Sequence, residues 1–201
     1  MFLNKLIKNL DSFKNSNSFC IKDRFYTYED LKNTIIKIQT ILSNLPDVKE
    51  NEPFAILCTD DFQTYSALLS LWFRGNCYVP LGLHNPDHRN LSILKDAEVR
   101  YILSTSRLDE TIYSGFTIIY INELDINRPT DKLQLRNFDF NYLAYVLFTS
   151  GSTGQPKGVP ITFNNLASFI DAFSSSPFEV TPEDKTLQMF ELTFDVSISS
   201  F

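Results

Sequence analysis

Leu147-Phe148-Thr149-Ser150-Gly151-Ser152-Thr153-Gly154-Gln155-Pro156-Lys157-Gly158-Val159 reads as the end of a strand, a loop of small hydroxylated residues and the start of a second strand. Leu143 to Phe148 is an apolar run, and Val159 to Thr162 follows as another strand candidate. Between them lies a surface suited to phosphate. Phosphate oxygens need many donors at close range, and small residues let backbone N–H groups approach while Ser and Thr add hydroxyls. Thr149, Ser150, Gly151, Ser152, Thr153 and Gly154 form the candidate donor surface, Lys157 adds a point charge, and Pro156 stiffens the chain before it. The segment is not the P-loop of nucleotide hydrolases, because Gly151 to Gly158 lacks the Gly-Lys-Ser/Thr ending that places a hydroxyl on magnesium. A flexible linker has the same composition, but a linker joining two adjacent strands is an awkward reading.

Working outward, the pattern is one of alternating strands and helices. Thr27 with Asp30 resembles a helix-starting cap, and Leu31, Ile35, Ile38, Leu42 and Leu45 recur on one face, which predicts a helix over about 28–44. Pro53 to Cys58 reads as a strand covered on both faces. Asp60 and Gln63 read as the cap of an apolar helix running to Arg74, with Gly75 as its left-handed stop. Tyr78 to Leu81 is a strand, Asn85-Pro86 a cap and first turn, and Leu91, Leu94 and Ala97 the buried stripe of a third helix. Val99 to Leu103 and Thr117 to Ile121 are further strands, and the polar stretch from Asn122 to Asn141 is a connection. This order predicts an α/β fold with a largely parallel sheet.

Composition narrows the partners. A chain of 201 residues that is 43% hydrophobic can bury a sizeable core. Its formal charge of -6 argues against a nucleic-acid surface. Its apolar runs are far shorter than the roughly 20 residues of a membrane span. The lysine-bearing start is interrupted by Asn and Asp, unlike a signal peptide. Cys20, Cys58 and Cys77 are odd in number and widely spaced, as expected of small buried thiols in a reducing cytoplasm. His84 and His88 have zinc-like spacing, but Pro86 separates them and no third ligand is near, so no metal site is expected. No Gly-x-Ser-x-Gly elbow supports a hydrolase.

Leu147 through Val159 resembles the signature loop of the AMP-forming synthetase superfamily, which includes acyl-CoA ligases, luciferases, amino-acid adenylation domains and D-alanine ligases. Tyr26-Thr27-Tyr28-Glu29-Asp30-Leu31 resembles its early helix-opening segment. Gly75 through Tyr78-Val79-Pro80-Leu81 to Pro86 and Arg89 resembles a segment typical of peptide-synthetase adenylation domains. Gly82 and Leu83 depart from the usual Asp-Pro, and Phe163 stands where many members have His. The resemblance implies binding of ATP with Mg2+, and it implies that residues 1–201 are the N-terminal part of such a domain, ending after the Phe-Asp-x-Ser segment.

Phe194-Asp195-Val196-Ser197 resembles that segment in amino-acid-activating members, where the carboxylate holds the substrate's α-ammonium. The resemblance therefore implies that Asp195 binds an amino acid, which becomes an aminoacyl-AMP and passes to the phosphopantetheine thiol of a carrier protein. A simple helix cap is the plain alternative for Asp195. Two other functional readings stay open: an acyl-CoA ligase, which needs no acid at 195, and a non-catalytic binding module, since the downstream adenine, ribose and lysine segments and any catalytic residue lie beyond this stretch. Phe190, Phe194 and Phe201 flank Asp195 and are the aromatics most suited to a pocket.

Overall fold

A computed structural model describes residues 2–122, 132–150, 156–175, 181 and 183–200. Its centre is a six-stranded sheet in the order β6-β5-β3-β4-β7-β8. These strands are β3 (Pro53–Cys58), β4 (Cys77–Gly82), β5 (Tyr101–Ser104), β6 (Thr117–Tyr120), β7 (Leu143–Ser150) and β8 (Pro156–Thr162). All neighbours are parallel except β7 and β8, which form an antiparallel hairpin. A separate two-stranded ribbon, β1 (Asn17–Ile21) with β2 (Arg24–Thr27), precedes the sheet.

Alternation along the strands divides the core. Phe54, Ile56, Tyr78, Tyr145 and Leu147 face one side, packed with α1 (Phe2–Ser12), α2 (Tyr28–Asn44), α3 (Phe62–Arg74) and α5 (Phe163–Ser174). Ala55, Leu57, Val79, Leu81 and Ile102 face the other, covered by α4 (Asp87–Asp96) through Ile93 and Leu94. Helix α3 is buried at every residue but Gln63, as expected of a helix apolar on all faces that lies between α2 and the sheet.

The helix ends follow from local chemistry. Thr27 and Asp30 form a reciprocal capping box on α2. Gly75 stops α3 at φ 73°, where a side chain would also meet Phe138 at 2.6 Å. Two expected caps need correcting. Asp61, not Asp60, caps α3 by accepting from Thr64 N at 2.8 Å. Asn85 does not cap α4: Pro86 holds the cap position, and the Asn85 amide donates instead to Asn90 Oδ1 at 3.1 Å. That same Asn85 lies where a side chain at Gly82 would fall, 2.8 Å from the position of a Cβ. The Gly at 82 and the folded-over Asn85 are thus one local solution. Phe163, at the first turn of α5 behind a Thr162–Asn165 capping box, is fully buried with its ring 4.6 Å from that of Phe138. An aromatic there packs the core.

Candidate functional site

The β7–β8 hairpin positions the loop. Its register sets Thr149 opposite Lys157 and Ser150 opposite Pro156. Directly opposed residues share a face, and alternation from Tyr145 and Leu147 puts Thr149 and Lys157 on the side that carries α3 and α5. Both side chains are exposed. Thr149 Oγ1 donates to the Lys157 carbonyl at 3.4 Å, a long bond that leaves the hydroxyl easily diverted. Gly158 sits opposite Phe148, and a Cβ there would approach Phe148 Cζ and Val146 Cγ1 to 3.1 Å. The glycine therefore lets two side chains of the opposite face close over β8. Gly151, Ser152, Thr153 and Gly154 lie outside the described residues, as does Phe201.

Asp195 opens a 3-10 helix, Asp195–Ser200. Its Oδ1 accepts the Val196 N–H at 2.8 Å, a local bond of the capping kind, and the side chain is exposed. Leu192 and Ile198, on either side of it, bury into the same core cluster as Tyr145 and Leu147. Burial, and then the charge of Asp195, holds the Tyr145 phenol above its ordinary range. The segment that carries Asp195 and the two ends of the loop thus pack on one side of the sheet. Phe190 and Phe194 flank Asp195 at 44% and 59% exposure, so both aromatics present open apolar surface beside it.

Three buried polar atoms add to these. The Tyr78 hydroxyl, Ser197 Oγ and Gln188 Oε1 are buried and lack a hydrogen-bond partner among the described residues. Gln188 Nε2 donates to the Ser197 carbonyl at 3.3 Å, which ties the segment before Asp195 to the one after it. Tyr78 and Ser197 lie in segments quoted for the resemblance and Gln188 does not, but that these atoms are buried without a partner is visible only in three dimensions.

The sheet also has a topological switch point. The chain leaves β3 toward β4 on one side and later reaches β5 on the other, so the carboxyl ends of β3 and β5 frame the crevice where open α/β sheets usually bind ligands. Here the polar groups at that crevice bond to one another. The hydroxyls of Thr59 and Thr105 both donate to Asp61 Oδ2, and each spends its one proton doing so. Thr64 is left to donate to Thr59 Oγ1 at 2.8 Å, and Asp61 Oδ1 takes the Thr64 N–H. The loop end of the β7–β8 hairpin lies on the same carboxyl edge, beyond β4.

Among the three cysteines, all free, Cys77 is buried and Cys58 half-buried, whereas Cys20 is exposed, contrary to its reading as a buried thiol. Among the described residues no helix is long and apolar enough to cross a membrane.

A family model described as AMP-binding enzyme matches residues 9–201. The coprinoferrin synthetase of Coprinopsis cinerea is 29% identical over 180 residues, 86% of this chain and 7% of that protein. A D-alanine--D-alanyl carrier protein ligase of Streptococcus pyogenes is 27% identical over 184 residues, 89% of this chain and 35% of the ligase. Among solved structures, the AMPPNP-bound form of the nonribosomal peptide synthetase FmoA3 superposes with a TM-score of 0.82 at 21% identity, covering 98% of this chain and 21% of the other. The chain therefore spans about a third or less of the length of these relatives.

Proposed function

This chain belongs to the AMP-binding enzyme family, and on that premise we propose that it is the N-terminal part of a cytoplasmic amino-acid adenylation domain. The single observation that supports the reading is that Leu192 and Ile198 pack the segment carrying Asp195 on the side of the sheet where Thr149 and Lys157 stand opposite each other. A substrate lying across that side has its ammonium end at the carboxylate and its carboxylate end toward the loop.

Asp195 keeps one carboxylate oxygen beyond the Val196 bond with which to accept from an α-ammonium, a charge-assisted contact that orients the amino acid. Thr149, Ser150, the glycines and hydroxyls of 151–154, and Lys157 donate to phosphate oxygens and offset charge as it develops. ATP supplies the α-phosphorus: the substrate carboxylate oxygen bonds to it as the bond to pyrophosphate breaks. Magnesium comes with the nucleotide's phosphates in this reading. The acceptor of the aminoacyl group is a carrier-protein phosphopantetheine thiol. Support for that comes from a relative named as a carrier protein ligase.

The test is amino-acid-dependent exchange of labelled pyrophosphate into ATP by the full-length protein that carries residues 1–201. Exchange with one or a few amino acids, lost in Asp195→Ala, is expected. Exchange driven by a plain carboxylic acid and unchanged in Asp195→Ala would replace the reading with an acyl-CoA ligase. No exchange with any acid would leave a binding module.

A further inference from the structure

Helices α1, α2 and α5 cover one side of the sheet, and their outward faces differ in chemistry. Those of α1 and α2 carry the charges expected of a solvated surface: Lys5, Lys8 and Asp11 on the first, Glu29, Asp30 and Lys37 on the second, all exposed. Helix α5 has a single charged side chain, Asp171, in its 12 residues. Its inner stripe, Phe163, Leu166, Ala167 and Ile170, packs on the core. Phe169 and Phe173, one turn apart on its flank, are nonetheless each 45% exposed, with ring centroids 6.1 Å apart.

One exposed apolar side chain needs no explanation, whereas a contiguous apolar patch marks an interface. The two rings stack on each other and so form one patch. More apolar surface follows along the chain, where Leu187 and Met189 are 74% and 72% exposed.

The position of the chain and the size of the fold indicate what covers the patch. Leu192 and Ile198 anchor their segment in the same core cluster as the inner stripe of α5, so the polypeptide passes residue 198 on the side of the sheet where α5 lies. The N-terminal subdomain of Klebsiella oxytoca NpsA superposes on 98% of this chain with a TM-score of 0.77 at 21% identity, yet this chain covers only 50% of that subdomain. A subdomain of this fold thus has as much polypeptide again to place against the part described. Segments of one polypeptide meet at an effective concentration on the order of millimolar, which favours them over a second copy in dilute solution.

We propose that the Phe169–Phe173 flank of α5 is an internal interface, covered by the part of the same polypeptide that follows residue 201. The proposal rests on family membership and not on the amino-acid reading.

Two measurements on the full-length protein test it. The first is hydroxyl-radical footprinting of the parent protein, with Phe25, 61% exposed on β2, as the internal reference. Phe169 and Phe173 should be oxidised at least about fivefold more slowly than Phe25, as befits buried rings. The second is the unfolding temperature of the Phe169→Glu, Phe173→Glu double variant. Glu is a better helix former than Phe, so on a solvated flank the change would hold or raise that temperature. In a covered flank it places two charges in an apolar contact and should lower it by about 5 °C or more. Should the variant fail to fold, the footprint of the parent protein still decides. Three results overturn the proposal: oxidation of both rings at the rate of Phe25, which means that the flank is open; an unfolding temperature unchanged or raised in the double variant; or protection that disappears on dilution as a dimer dissociates, which means that a second copy is the occupant. Neither measurement reads adenylation, so failure here leaves that reading where it stands.

Discussion

Two places on the carboxyl edge of this sheet have the location of a binding site, and they are built in opposite ways. The switch-point crevice between β3 and β5 is closed by its own side chains: Asp61 accepts from Thr59, Thr105 and the Thr64 N–H, and every donor points inward. The end of the β7–β8 hairpin leaves Thr149 and Lys157 exposed, joined by one long bond. Topology alone favours the crevice; the accounting of donors and acceptors favours the hairpin. A site has to hold polar groups that the fold has not already used. The largest expected effect tests that difference directly. Lys157→Ala should lower the rate of pyrophosphate exchange by about 100-fold, equivalent to about 2.7 kcal/mol, with no loss of thermal stability because the side chain is exposed. A fall in unfolding temperature alongside the fall in rate would mean that the lysine holds the hairpin together, and the contrast would collapse.

Asp61→Ala should do the reverse. It removes the N-cap of α3 and strands two hydroxyls, so a loss of about 2 kcal/mol is expected in denaturant unfolding. Exchange per folded molecule should stay within about twofold. A large drop in exchange with little loss of stability would show that the crevice binds ligand after all.

The amino edge gives a smaller, pH-dependent effect. Burial alone would raise the Glu52 carboxyl, but hydrogen bonds from the Arg100 guanidinium and the Lys49 N–H outweigh it and hold the group below its ordinary range. A carboxyl depressed in the folded state contributes stability above its unfolded pKa of about 4.5 and loses it as pH falls through the folded value. The unfolding temperature should therefore drop between neutrality and pH 3 more steeply in the parent chain than in Glu52→Gln. Arg100 is half-exposed, which keeps this effect below that of Asp61.

How far the sequence reaches can be judged from particular residues. Thr27 with Asp30 and the stop at Gly75 were legible because capping and left-handed turns depend on a few adjacent residues. The strands from 53–58 to 143–150 were legible for a similar reason, since burial on both faces gives continuous apolar runs. Helix α1 and the β1–β2 ribbon went unread, and so did α5. In α5 the stripe Phe163, Leu166, Ala167 and Ile170 has helical spacing and packs on the core, so the helix was legible in the pattern, although Phe169 and Phe173 stay exposed. The choice of Asp61 over Asp60 was undecided by pattern: both precede the helix, and Thr105, 44 residues away, fixes the outcome through its bond to Asp61. Within the site, the loop was visible as a motif. That the segment carrying Asp195 packs on the same side of the sheet is a consequence of Leu192 and Ile198 reaching the core, which no local pattern encodes.

The smallest effect separates the two halves of the closed crevice. Thr105→Val replaces one hydroxyl with a methyl on the β5 side. Asp61 keeps its bonds to Thr59 and to the Thr64 N–H, so its carboxylate remains satisfied and α3 remains capped. The loss should be about 1 kcal/mol, the net value of one hydrogen bond to a charged group less the gain from added apolar contact. In a double-mutant cycle, Thr59→Ala and Thr105→Val should couple by about 0.5 kcal/mol or more, because both donate to Asp61 Oδ2 and their oxygens lie 2.7 Å apart. Strict additivity would mean that the two hydroxyls act on Asp61 independently, so that β3 and β5 are held together by the sheet alone and the crevice is closed only by chance contact.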